Sequence, residues 1–182
     1  MREFIIEDNT YNVPLSWNDV SVAKFESLLD TMSNKDSYSG DIEFSLRIIS
    51  SITDIPFNIL KGISNQKFEE INDYLSWASH QVVSNNKKEF LINGITYVPV
   101  SNYNGLTMGE AIDSETIIKD TPPNNLISAL LPLLVRRAVL KGKGKHAKTV
   151  PSSFDAENYQ ELKEEMKHNL MIADVMQLKG FF

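Results

Sequence analysis

The chain has 182 residues, of which 42% are hydrophobic and 23% charged, and carries a net charge of −6 at neutral pH. That is ordinary soluble composition and enough chain for one packed core, burying about two-thirds of the surface of the unfolded form. There is no cysteine, which excludes disulfides and thiolate metal sites and fits an intracellular protein, while the negative charge gives no general attraction for nucleic acid. The N-terminal MREFIIED holds no apolar run of signal-peptide length. The longest apolar run, Leu126–Val135, is interrupted by Ser128 and Pro132 and falls short of the roughly 20 residues of a membrane span. No membrane partner is expected.

In chain order, strands are expected at Glu3–Glu7 and Tyr11–Val13, joined through Asp8–Asn9–Thr10, with Pro14 ending the second. After a connector at Ser16–Asp19, Ser21 is placed to cap a helix carrying Val22, Phe25, Leu28, Leu29 and Met32 at helical spacing. Asn34–Gly40 is a polar loop. A second helix runs from Asp41 to about Ile52, with Phe44, Ile48 and Ile52 on one face and Leu46 and Ile49 widening it. Asp54 and Pro56 start a short helix that Gly62 stops, and Ser64 starts another whose inner face carries Phe68, Ile71, Leu75 and Ala78. Trp17 and Trp77 are expected to cover the core edges.

Asn85–Lys88 leads into the clearest local signal of the chain. Asn93–Gly94 lies between Phe90–Ile92 and Ile95–Val98, and Asn-Gly supplies the positive φ angles of a two-residue type I′ hairpin turn. After the loop SNYNG, Thr107 and Glu110 form the spacing of a capping box for a helix over about Met108–Ile118. TPPNN breaks the chain, and Leu126–Leu140 is expected to be the most apolar helix, kinked by Pro132. Lys141–Lys148, KGKGKHAK, is expected to be a flexible loop. Ser153 or Asp155 then caps a last helix with a stripe of Tyr159, Leu162, Met166, Leu170 and Ala173, ended by Gly180.

The chain contains a second version of its hairpin. EFIIEDNTYNVPLS from Glu3 and EFLINGITYVPVS from Glu89 share eight identities over 14 positions when Asn12 is treated as an insertion. Val20–Ala23 answers to Leu106–Gly109 at the same offset of 86 residues that separates Glu3 from Glu89. Each half then reads hairpin, proline, polar connector, capped helix, apolar helix, amphipathic helix. The expectation is a mainly helical α+β protein, residues 1–182 forming one compact domain of two pseudo-repeats, 1–85 and 86–182. Two-stranded hairpins are marginal alone, so the two hairpins are expected to pair or pack centrally.

Chemistry is harder to find. GKGKHAKT, Gly142–Thr149, is a near miss for a phosphate-binding loop, with Ala147 where a second glycine belongs and no strand expected before it. His80, His146 and His168 are isolated, and Glu165–His168 is one E-x-x-H spacing where a di-iron bundle needs two. No catalytic, cofactor or metal residues are assigned, no small-molecule substrate is expected, and the protein is read as not an enzyme. The electrostatic outlier is Arg136–Lys148: six basic side chains and no acid, against 12 basic and 24 acidic residues elsewhere. Arg136, Arg137, Lys141, Lys143, Lys145 and Lys148 are the candidate partner-binding cations. Their partner is a protein surface or, alternatively, nucleic-acid phosphates. Phe181 and Phe182 are candidates too, docking on their own core or on another subunit.

The hairpin start, the proline and polar connector, and the hydrophobic–Ser/Thr–hydrophobic–small motif at Val20–Ala23 recur as GLTMGEAID. Leu106, Thr107, Gly109, Ile112 and Asp113 match an L-T-x-G-x-x-I-D pattern. Over most of the chain this layout resembles small structural and assembly proteins of tailed bacteriophages, crAss-like phages included. Leu134–Arg137 departs from the Tyr-Arg-Pro-like ending that the resemblance leads one to expect. The resemblance implies a virion component near the head–tail (portal) region, or a tail assembly chaperone that leaves the particle. Its location would be the virion, and the host cytoplasm during assembly. Its partners would be other phage structural proteins and copies of itself. It carries no catalytic residues across.

Overall fold

The structure is a computed structural model that describes residues 1–100, 105–142 and 148–181, with side chains as far as Leu178. It is α+β and mainly helical, as expected, with 54% helix and two antiparallel sheets. The chain divides into two compact units. One comprises Met1–Val83 with Met171–Ala173, the other Ser84–Leu170 with Asp174–Phe182.

The first unit opens with β1 (Arg2–Ile6) and β2 (Asn9–Val13), paired antiparallel with Phe4 opposite Tyr11 and Ile6 opposite Asn9. The turn is therefore the two residues Glu7–Asp8, both in the left-handed region at φ 49° and 63°, and not the expected Asp8–Asn9–Thr10. The strand register requires both positive φ angles, which aspartate tolerates better than most side chains and glutamate does not favour. Helix α1 (Val22–Ser33) starts where Ser21 accepts a hydrogen bond from the Lys24 N–H. Helices α2 (Asp41–Ile52), α3 (Phe57–Leu60) and α4 (Asn65–Tyr74) follow, the last capped by Ser64. Ala78 lies outside α4, in a 3-10 turn at Ser76–Ser79.

Phe4, Ile6 and Val13 of the hairpin pack with Leu28, Ile49, Ile52, Ile55, Leu60, Ile71 and Leu75. Alternate hairpin residues and one stripe of each helix thus make a single core. Trp17 and Trp77 sit edge to face at its margin, 5.0 Å apart, and donate their ring N–H groups to His80 and Pro14 carbonyls. Past α2 the chain turns back along β2, where the Asp54 N–H donates to the Asn12 carbonyl. Met171 bridges Ser21, and the Ile172 N–H donates to the Val20 carbonyl.

The second unit opens in the same way. β3 (Phe90–Ile92) and β4 (Ile95–Pro99) pair with Phe90 opposite Tyr97, around Asn93 and Gly94 at φ 48° and 79°. Helix α5 (Met108–Asp120) carries the complete capping box. The Thr107 hydroxyl accepts from the Glu110 N–H, and the Glu110 carboxylate accepts from the Thr107 N–H.

The expected helix over Leu126–Leu140 is wrong in its second half. Helix α6 (Leu126–Leu134) stops, and β5 (Val135–Lys141) takes over. Pro132 has no N–H to give the helix ladder. Beyond it, Val135–Arg137 pair with Pro99–Tyr97 of β4, and the Val100 N–H donates to the Leu134 carbonyl. Sheet bonds satisfy the backbone that the helix releases. The expected loop at Lys141–Lys148 is flanked by strand pairing, because Lys148 begins β6 (Lys148–Pro151), which pairs with β5.

The sheet order is β3-β4-β5-β6, while β1 and β2 form a separate two-stranded sheet. The expected pairing of the two hairpins is thus not what forms; β4 takes β5 as its neighbour. The last predicted helix is also interrupted. Helix α7 (Tyr159–Asn169) ends at Leu170, whose backbone is extended, and α8 (Ile172–Val175) follows the Met171 bridge. Asn158 stands at the N-terminus of α7, and Asp155 instead accepts from its N–H and side chain.

Candidate interaction surface

The basic segment separates into one buried anchor and an exposed arm. Arg136, expected as a contact residue, is only 6% exposed and pairs with Glu110 at 2.8 Å. Its Nε donates to the Leu133 carbonyl, and Nη1 also reaches the Ser152 carbonyl. Nη2 has no hydrogen-bond partner among the described residues. Its position follows from the sheet: pairing Val98 with Arg136 turns this side chain inward, whereas the next residue, Arg137, points out.

Glu110 thereby serves three elements at once. It caps α5, holds Arg136 at the start of β5, and accepts from the Phe154 N–H beyond β6. Burial pushes the Glu110 carboxyl upward, but the Thr107 N–H and Arg136 outweigh it and leave it below the ordinary carboxylate range.

The arm is the outer part of the β5–β6 hairpin. Only Val135–Arg137 of β5 pair with β4; Ala138–Lys141 pair with β6 alone. Leu140 is 77% exposed and Val139 41%. Lys141 lies directly opposite Lys148, both exposed. Among the described residues, Arg137, Lys141 and Lys148 form no ion pair. Lys143 and Lys145 lie outside the described residues. Phe181 closes a 3-10 turn at Met176–Phe181, and Phe182 lies outside the described residues.

Beside the base of the arm is an open cleft of about 1010 Å³ within the second unit. Ile95, Pro132, Val135, Phe154 and Leu162 supply its apolar surface, the segment Asp155–Asn158 with α7 forms an acidic side, and Arg136 and Arg137 line it as well. Glu157 and Glu161 there are exposed and make no ion pair among the described residues. Asp155 is held below its usual range by the Asn158 side chain and N–H. Further along α7, Glu165 accepts from the Asn93 side chain. Burial, with Glu165 beside it, pushes the Tyr97 hydroxyl above its usual value.

Sequence reasoning missed both the exposed apolar residues of the arm, Val139 and Leu140, and the acidic cleft. The former were concealed because Val139 and Leu140 were assigned to a buried helix. The available signal was the run of β-branched residues at Val135, Val139 and Val150 flanking glycines. The cleft joins residues from β4, α6, the segment after β6 and α7, so no local motif marks it.

Among the described residues, no group of three or more His, Asp or Glu side chains is placed to hold a metal ion. His168 Nε2 lies 3.7 Å from a Glu164 carboxylate oxygen, so its neighbour is Glu164 and not Glu165. No described helix is long and apolar enough to cross a membrane. Comparison with known proteins finds no match: no family model, no curated protein and no solved structure is significantly similar to the chain.

Proposed function

We propose that this protein is a non-enzymatic phage structural or assembly protein that acts through protein–protein contacts, in a particle near the head–tail region. The phage setting rests on the resemblance of the L-T-x-G-x-x-I-D motif at Leu106–Asp113 and its echo at Val20–Ala23. The contact role rests on one structural observation, the β5–β6 arm. A hairpin running past its sheet, with an exposed leucine and with lysines unpaired among the described residues, presents backbone edges, apolar surface and charge together. The clamp of Arg136 by Glu110 holds the arm at its root.

Mass spectrometry of purified particles tests this reading. Detection in stoichiometric amount supports a built-in component. Association with tail proteins in infected-cell extracts, with absence from finished particles, supports the assembly-chaperone form. Absence from both overturns the reading.

A second reading, nucleic-acid association through residues 136–148, draws on the same arm. Arg136 is spent on Glu110, which leaves Arg137, Lys141 and Lys148 as the described cations. Duplex or single-stranded DNA binding that falls steeply with salt would favour it.

A further inference from the structure

We infer that the β5–β6 arm of one copy seats in the acidic cleft of another copy, making a contact between identical chains. The inference deepens the assembly reading by naming the partner and the two surfaces. The arm shows what it needs. Lys141 and Lys148 face each other directly across the hairpin, and like charges in that position repel. A surface that supplies carboxylates removes the repulsion and gains attraction, and one that also supplies apolar area covers Leu140 and Val139.

The cleft offers both. Its lining includes Ile95, Phe154 and Leu162, together with Glu157 and Glu161, which have no cationic partners among the described residues. Its volume, about 1010 Å³, lies at the upper end of ordinary ligand pockets, which suits several side chains better than one small molecule.

The charge distribution of the whole chain points the same way. No acid occurs between Asp120 and Asp155, whereas residues outside Arg136–Lys148 carry 24 acids and 12 bases. The chain is therefore complementary to itself, basic on the outer arm at Lys141 and Lys148 and net acidic at the cleft, where Asp155, Glu157, Glu161 and Glu165 outnumber Arg137. Electrostatic complementarity of this kind steers encounter and fixes register. The contact is either reciprocated in a twofold pair or repeated from copy to copy, closing into a ring or running on as an open filament.

Sedimentation velocity over a range of concentrations, at low and raised salt, tests this with two variants of the full chain. The arm variant carries Leu140→Ser and Lys141→Ser; the cleft variant carries Glu157→Lys and Glu161→Lys. Circular dichroism first establishes that each folds, and Glu157→Gln with Glu161→Gln replaces the charge reversal if α7 is disturbed. The wild type is expected to associate as concentration rises and to dissociate with salt. Each variant alone is expected to associate roughly tenfold or more weakly. An equimolar mixture is expected to stop at a 1:1 complex, since one variant retains a working arm and the other a working cleft. A wild type that stays monomeric, variants that associate as it does, or a mixture that forms no 1:1 complex overturns the contact. A monomeric wild type found in purified particles would overturn this contact and leave the assembly reading standing. Self-association of a chain absent from particles and from tail-protein complexes would do the reverse.

Discussion

Glu110 and Arg136 show how one carboxylate can hold three segments, and the pair has a measurable cost of removal. Both side chains are largely withdrawn from water, Glu110 at 11% exposure. Glu110→Gln leaves the guanidinium buried without its counter-charge and weakens the α5 cap. Destabilisation of about 3 kcal/mol is expected in urea denaturation. Glu43 makes the contrasting case on the surface. The Ser39 hydroxyl and N–H, followed by Arg47, lower its carboxyl from 4.5 to about 2. A depressed folded-state value means that the associated stability is fully present above pH 4.5 and is lost as pH falls through about 2. Denaturation midpoints recorded over that window should fall less steeply in Ser39→Ala than in the wild type. An unchanged slope would show that Ser39 does not hold the carboxylate in solution.

The two hairpins pose the same backbone demand and meet it with different residues. Asn93–Gly94 suits two positive φ angles, while the first hairpin puts Glu7, which does not favour them, and Asp8, less free than glycine, in the same positions. Gly94→Ala is expected to cost about 1 kcal/mol, and Asp8→Gly to stabilise by up to about 1 kcal/mol, read from thermal unfolding. Destabilisation by Asp8→Gly would show that the aspartate makes a compensating contact. The caps are the helical counterpart. Ser21→Ala and Thr107→Ala should each cost about 1 kcal/mol, with Thr107 the greater because its box also engages Glu110. These features were legible because turn and cap chemistry is local. The end of α6 was not. Leu126–Leu140 has helical apolar spacing throughout, and Pro132 alone does not distinguish a kink from a stop. The pairing of Val135–Arg137 with β4 makes that distinction, through a partner more than 30 residues away in the chain.

For the molecule as a whole, net charge and its placement have separate consequences. A chain of net charge −6 that spends Arg136 internally is expected to show no measurable duplex binding at physiological salt, by fluorescence anisotropy. Binding there would favour the nucleic-acid reading over protein contact. The two units begin alike: Phe4 opposite Tyr11 and Phe90 opposite Tyr97, then α1 and α5 starting at Val22 and Met108, again offset by 86 residues. After the second helix of each unit the chain returns along the hairpin's second strand. In the first it does so through the single bond from Asp54 to Asn12; in the second it extends into β5 and β6. The arm is what the second unit has beyond this shared beginning.

Residue order was sufficient for what depends on near neighbours: the hairpin at Asn93–Gly94, the caps at Ser21, Ser64 and Thr107, and the α+β class that alternating and helical apolar spacings imply. It also revealed an acid-free basic segment. Which of those cations face solvent, where α6 yields to β5, and how β4, α6 and α7 enclose a cleft depended on long-range pairing. Side-chain direction in a strand follows from register, and register is settled by which distant strand satisfies the backbone. Arg136 and Arg137 are adjacent and chemically identical, yet one is a buried anchor and the other stands in water, because β4 lies beside them.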